Sequence, residues 1–239
     1  MLPASAEAIQ SRLGDDDRVL DVGGWYKPFP RADWVLDLMP YATRRSSEGG
    51  GAERFGPDTW VQRDICDHEP WPFADDQFDF AICSHTLEDV RDPVWVCSEL
   101  NRVARSGYIE VPSRQEEQAW GVNGSWVGWS HHHWLIEIED SSIDFILKPH
   151  VIHGNPDYHL QWPLGEALTA TERVQSLLWE GGFRFRERIF NEPAQVDAFL
   201  TGLVRTWQPR LEARQLPVSR RKRIRRAASN QIGALIRGR

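Results

Sequence analysis

Pro72-Phe-Ala-Asp-Asp-Gln-Phe-Asp-Phe-Ala-Ile-Cys-Ser-His-Thr-Leu-Glu-Asp89 is the stretch whose reading decides the fold. Its opening, with the preceding His68-Glu-Pro-Trp71, is too rich in proline and acid for a regular element and reads as loop. Residues 77–84 then form a short, mostly apolar run of the size of a buried strand, ending at Ser84-His85. Downstream, Asp92-Pro93 opens a helix, since proline suits a first helical position. Val94, Val96, Cys97, Leu100, Val103 and Ala104 give that helix one apolar face. Gly107 ends it, and residues 108–112 read as a further strand.

Upstream, residues 18–22 read as a strand closed by Gly23-Gly24, residues 34–38 as a second, and residues 59–65 as a third. The first two are separated by a short segment holding Pro28 and Pro30, so a full crossover helix does not fit there. Residues 45–58 are a polar, glycine-rich loop. Five short apolar strands, divided by turns and helices, imply an α/β sandwich with a mostly parallel sheet. Past residue 113 the rhythm changes. A hairpin is expected at 134–148, a helix at 171–180 stopped by Gly181-Gly182, a strand at 183–190, and terminal helices at 193–207 and 209–235.

Open α/β sheets bind ligands at the carboxyl ends of their strands. Here those ends carry Asp21, Gly23 and Gly24, then Asp37, then Asp64 and Ile65, then Ser84 and His85. Glycine lets backbone approach a ligand closely, and an acid at the second strand can accept two ribose hydroxyls. The whole set, Val-Leu-Asp-Val-Gly-Gly (19–24), Asp37, Arg-Asp-Ile (63–65), Pro-Phe-x-Asp-Asp-x-Phe-Asp and Ser-His-x-Leu-Glu, resembles the class I S-adenosylmethionine-dependent methyltransferases over about residues 18–112. The resemblance implies a Rossmann-like sandwich with an inserted lid at 114–165 and a basic C-terminal helical tail at 205–239, the methyltransferase domain being 1–204. It also implies S-adenosylmethionine as cofactor. Asp21, Gly23 and Gly24 would lie at its methionine end, Asp37 on the ribose, Asp64 and Ile65 on adenine, and Ser84 and His85 beside the sulfonium. One departure stands out: the family's third glycine is missing, and Trp25-Tyr-Lys-Pro-Phe-Pro30 takes the place of its first helix.

Methyl transfer needs orientation and a competent nucleophile, and no metal by necessity. A histidine titrates near working pH and can deprotonate a hydroxyl. His131, His132 and His85 are therefore the candidate bases, the first two in the run His131-His132-His133 beside Trp129 and Trp134. For the histidines of that run, capping a strand or packing against tryptophan is the competing reading. Glu88 either orients a substrate or loop, or simply begins a helix. The tryptophans from Trp120 to Trp134 either stack on a sugar or aromatic acceptor or fill a core.

Composition bounds the rest. The 239 residues are 41% hydrophobic and 26% charged, which suits one globular domain and excludes disorder or collagen. The net charge is −7, yet from Arg205 to Arg239 eleven Lys and Arg face one acid, Glu212. That tail could meet an anionic membrane, a nucleic acid or a protein partner, or dock on the acidic body. Three cysteines without a C-x-x-C pair, and no apolar leader, suggest the cytoplasm. The expected activity is O-methylation of a small molecule or glycan hydroxyl. An RNA methyltransferase using the tail is one alternative, although no Asn/Asp-Pro-Pro-Tyr/Phe sequence is present. A non-catalytic scaffold on the same fold is the other. A nicotinamide dehydrogenase fits poorly without Gly-x-Gly-x-x-Gly.

Overall fold

The computed structural model describes residues 1–45 and 52–214. The middle of the expected 45–58 loop and the basic run beyond Arg214 lie outside the described residues. The chain divides into two compact units. The first is Met1–Val111, Ile136–Phe145 and Gln175–Glu187, and the second takes Pro112–Leu135, Ile146–Val174 and the segment from Arg188.

In order, the elements are α1 (Pro3–Arg12), β1 (Val19–Val22), β2 (Trp34–Asp37), β3 (Trp60–Gln62), β4 (Phe80–Ser84), α2 (Pro93–Val103), β5 (Ser106–Pro112), α3 (Arg114–Glu117), β6 (Trp134–Glu139), β7 (Ser142–Leu147), β8 (Val174–Glu180), β9 (Arg184–Glu187) and α4 (Pro193–Glu212). Six strands form the central sheet in the order β3-β2-β1-β4-β5-β8. Every strand from β3 to β5 runs parallel to its neighbour, with Val22 level with Leu36 on one side and Cys83 on the other. The chain winds outward through β1, β2 and β3, then returns to β4, so the order reverses between β1 and β4. The carboxyl ends flanking that reversal are where such a sheet opens a crevice. The α/β class and the mostly parallel sheet are thus as the sequence implied.

No helix joins β1 to β2. The loop does the helix's packing with side chains instead. Phe29 and Ala32 are buried against Val19, Val35, Phe80 and Ile82, alongside Ile9 of α1. Asp33 closes the loop: its N–H donates to Val19 O at 2.8 Å, and its carboxylate accepts from Val19 N–H at 2.8 Å. The Pro-Phe-Ala-Asp-Asp signature serves the fold as well. Arg102 of α2 donates to Trp71 O, Phe73 O and Asp75, while Glu99 accepts the Trp71 N–H at 2.6 Å, pinning this loop to the helix. Asp92 caps α2 by accepting from Trp95 N–H at 2.9 Å.

Two expectations need correction. Residues 171–180 are not a helix: Val174–Glu180 is strand β8, at the edge of the central sheet. Burial there alternates, with Leu177 and Trp179 inward and Leu178 exposed, a period of two that sheet pairing selected over the helical reading. The expected break at residue 208 is also absent, since α4 runs unbroken from Pro193 to Glu212 with Pro209 inside it. Pro209 cannot donate to the carbonyl of Arg205, and the helix runs only three residues beyond it. The hairpin forms as expected from β6 and β7, turning at Asp140, and β9 pairs in parallel with β7 as a third strand. In the second unit Ala119, Leu160, Leu164, Leu203, Val204 and Leu211 form one core cluster, and Val127, Leu135, Ile146, Ile152 and Leu200 another.

Candidate functional site

The parallel register brings the expected residues at the ends of β1, β2 and β4 side by side. Gly23 has φ +77°, and a Cβ there would overlap the Thr86 side chain, so only glycine fits. Its N–H donates to Leu36 O at 2.9 Å. Asp21 faces the loop: buried, it accepts the Phe29 N–H at 2.7 Å. Burial pushes its carboxyl up to about 7, opposed by that hydrogen bond and helped by the charge of Asp37. Asp37, also buried, accepts N–H groups from Met39 at 2.7 Å and Trp25 at 2.9 Å. Burial raises it too, against both bonds. The two carboxylates thus fasten both ends of the loop that replaces the helix, and Gly24 lies between those fastenings.

Asp64 lies beyond β3. It pairs with Arg91 at 2.6 Å and accepts the Cys66 N–H at 2.9 Å, which holds its carboxyl below the usual range. Ile65 is buried, and its carbonyl accepts from the Trp71 indole at 3.2 Å. At the end of β4, the Ser84 hydroxyl is buried and has no hydrogen-bond partner among the described residues.

His85 follows in the left-handed region at φ +54°. Its ring lies between two buried carboxylates, Nε2 at 3.2 Å from Glu110 and Nδ1 at 3.4 Å from Glu88. Burial works against the charged ring, but the two carboxylates outweigh it and lift His85 to about 9. Glu110 falls to about 2: burial would raise it, and His85, Tyr108 and the N-terminal amine overcome that. Glu110 accepts from the Tyr108 hydroxyl at 2.7 Å and from the Leu2 N–H at 2.9 Å. At neutral pH, His85 is therefore a cation that donates, and a general base needs the opposite state.

The second unit holds a different arrangement. Glu117 ends α3, whose start is capped by Ser113. Its carboxylate meets His132 Nδ1 at 2.6 Å and Lys148 Nζ at 2.8 Å. All three side chains are buried, at 1%, 6% and 6% exposure. Burial alone would raise the Glu117 carboxyl, yet His132 and Lys148 hold it below its usual value. Lys148 also donates to Trp129 O at 3.1 Å, and the Trp129 indole stacks on the His132 ring at 5.8 Å and 26°. His131 packs edge-on against His132 at 4.6 Å and is itself exposed, as is His133. Gly128, at φ +63°, lies so close that a Cβ would overlap Glu117 and Lys148. Sequence reasoning singled out His132 but missed Glu117, Lys148 and Glu110. No local spacing marks them, since the fold alone brings residues fifteen and thirty-one positions apart together.

Comparison with known proteins bears on the first unit. Residues 33–109 match the family model described as a methyltransferase domain. No curated protein matches the chain at a significant level. Among solved structures, an S-adenosylmethionine-dependent methyltransferase from Mesorhizobium loti is 16% identical, with 59% of this chain and 62% of that one covered, at a TM-score of 0.35. One from Aquifex aeolicus is 19% identical, covering 47% and 66%, at 0.33. Phosphoethanolamine N-methyltransferase 2 of Haemonchus contortus, solved with phosphomonomethylethanolamine and S-adenosylhomocysteine, is 18% identical, covering 46% and 28%, at 0.31. The chain spans less than two thirds of each of these proteins. Residues 33–109, about a third of the chain, are thus similar to a methyltransferase domain.

Proposed function

We propose that the chain is an S-adenosylmethionine-dependent methyltransferase acting on a hydroxyl of a small molecule or glycan. The observation that carries the cofactor half is the group of polar strand ends around the sheet's reversal. Two buried acids there, Asp21 and Asp37, favour a cationic ligand, and the Ser84 hydroxyl, without a partner among the described residues, is a buried polar atom that a ligand would satisfy. Those residues fit the cofactor's charge and hydroxyls. When bound, the cofactor supplies an electrophilic methyl group on a sulfonium. Asp37 would take the ribose hydroxyls on oxygens that already hold two backbone donors, and Asp64 with Ile65 the adenine. Gly23 and Gly24 would bring backbone to the methionine end, with Asp21 fastening their loop. Ser84 and His85 would wall the pocket at the end of β4, His85 as a donor. His132, with His131 packed edge-on against it, is the candidate base for a hydroxyl acceptor.

Calorimetric titration with S-adenosylmethionine and S-adenosylhomocysteine tests this reading. Asp37→Asn keeps acceptor capacity but loses the charge, and is expected to weaken binding about tenfold or more. A second reading, a non-catalytic scaffold on this fold, is favoured by one observation: both Asp21 and Asp37 are already engaged by the loop. Native protein that binds neither ligand at millimolar concentration would support the scaffold and sink the enzyme.

A further inference from the structure

We infer that Arg91 is the positioning residue of Asp64, and that through it the site beyond β3 prefers an exocyclic amine to a carbonyl on the ligand's base. The inference rests on the reading of Asp64 as the adenine acceptor and deepens it. The turn that follows β3 is fastened from several sides. Asp64 accepts the Cys66 N–H at 2.9 Å on Oδ1, and its own carbonyl accepts the Asp67 N–H at 3.4 Å. The Ile65 carbonyl takes the Trp71 indole at 3.2 Å, and the Cys66 thiol lies 3.6 Å from Asp92 O. Arg63 holds both oxygens of Asp67 at 2.8 Å. Arg91 completes the arrangement from the segment between β4 and α2. One guanidinium nitrogen lies 2.6 Å from Asp64 Oδ2, and another donates to Cys66 O. The Asp64 carboxylate is thus held by turn backbone on one oxygen and by Arg91 on the other. About two of its four acceptor positions are left for a ligand.

A carboxylate held in this way has one chemical preference. Ionised, it accepts and cannot donate, so it suits an amine N–H and repels a carbonyl oxygen. The bond to Arg91 does most to hold the Asp64 carboxyl below its usual range, followed by the Cys66 N–H. Burial and the charge of Asp67 work the other way, and Asp67 is itself paired with Arg63. Arginine suits the task. Its planar fork reaches a carboxylate and a carbonyl together, where a lysine offers one point charge. Stability does not account for the pair, since its side chains are 61% and 39% exposed and exposed ion pairs contribute little.

Calorimetry on the full chain compares S-adenosylhomocysteine with S-inosylhomocysteine, whose base carries a carbonyl oxygen in place of the exocyclic amine. The native protein is expected to bind the first about ten- to a hundredfold more tightly, the range of one hydrogen bond to a charged group. Arg91→Met should bring the two affinities to within about threefold, and Arg91→Lys should recover part of the difference. The urea midpoint of Arg91→Met should hardly move, which separates positioning from folding. A second readout needs no ligand. The side-chain 13C titration of Asp64, identified by its loss in Asp64→Asn, should have its midpoint below the usual carboxylate range in the native protein and move up in Arg91→Met. An affinity ratio unchanged in Arg91→Met, or an Asp64 midpoint that stays where it was, would overturn the role of Arg91 and leave the cofactor reading standing. Discrimination that survives in Asp64→Asn would instead overturn the placing of adenine on Asp64, and this inference with it. Native protein that binds neither ligand would remove the cofactor reading itself.

Discussion

Asp21 shows how far a single carboxyl can depart from its residue type. Burial lifts it from 3.8 to about 7, so the folded protein holds a proton there that the unfolded chain has released. Its contribution to stability is complete below about pH 4 and is lost as pH rises through 7. Asp21→Asn keeps an acceptor for the Phe29 N–H and removes the charge. The variant is expected to be more stable than the native protein at pH 8 by about 1–4 kcal/mol, taking about 1.4 kcal/mol per pKa unit, with little difference at pH 4. Urea unfolding at the two pH values checks this, and equal stability at pH 8 would remove the buried-acid argument. His85 and Glu110 behave as a pair with opposite limits. The raised His85 contributes fully below about 6.5 and loses its contribution as pH climbs through 9, while the depressed Glu110 contributes above about 4.5 and loses it as pH falls through 2. At this scale the sequence announced strand-end acids and a histidine after β4. It could not announce that burial leaves one acid about half protonated at neutral pH, nor that two buried glutamates make the histidine a cation.

Among the elements, the segment between β1 and β2 is the one the family pattern would get wrong and the local sequence gets right. Pro28 and Pro30 forbid a helix, and the loop compensates by inserting Phe29 where helix side chains would pack. Phe29→Ala should therefore cost about 3–5 kcal/mol, as expected for deleting a buried phenylalanine. It should also weaken S-adenosylhomocysteine binding, because the same loop is fastened by Asp21 and Asp37. Denaturant melts with and without ligand measure both effects, and a loss under 1 kcal/mol would show that the loop does not replace the helix in the core. The strands β1 to β5, the helix α2 and the hairpin were legible because their apolar runs are bounded by glycine, proline or acid. Strand β8 was not. Val174, Leu177 and Leu178 fit a helical face as well as alternation, and only pairing at the sheet edge decides between them.

Over the whole molecule, chemistry and charge are segregated along the chain. Every candidate cofactor residue falls between Asp21 and His85, and the carboxylate–imidazole pair draws on residues 117 to 148, whereas eight Lys and Arg and no acid lie beyond Arg214. Among the described residues no helix is long and apolar enough to cross a membrane, and that basic run is the segment whose charge suits an anionic surface. Counterion release makes such binding steeply dependent on salt, while a buried cofactor site is screened far less. The full chain with Arg220, Arg221, Lys222 and Arg223 all changed to Gln separates the two. It is expected to leave a heparin column at distinctly lower salt than the native chain, with S-adenosylhomocysteine affinity the same within about twofold. Methylation of a small hydroxylated acceptor should be equally indifferent to the change. If instead turnover fell with the heparin affinity and became salt-dependent, the acceptor would be a polyanion, and the RNA reading would displace the small-molecule one without disturbing the cofactor site.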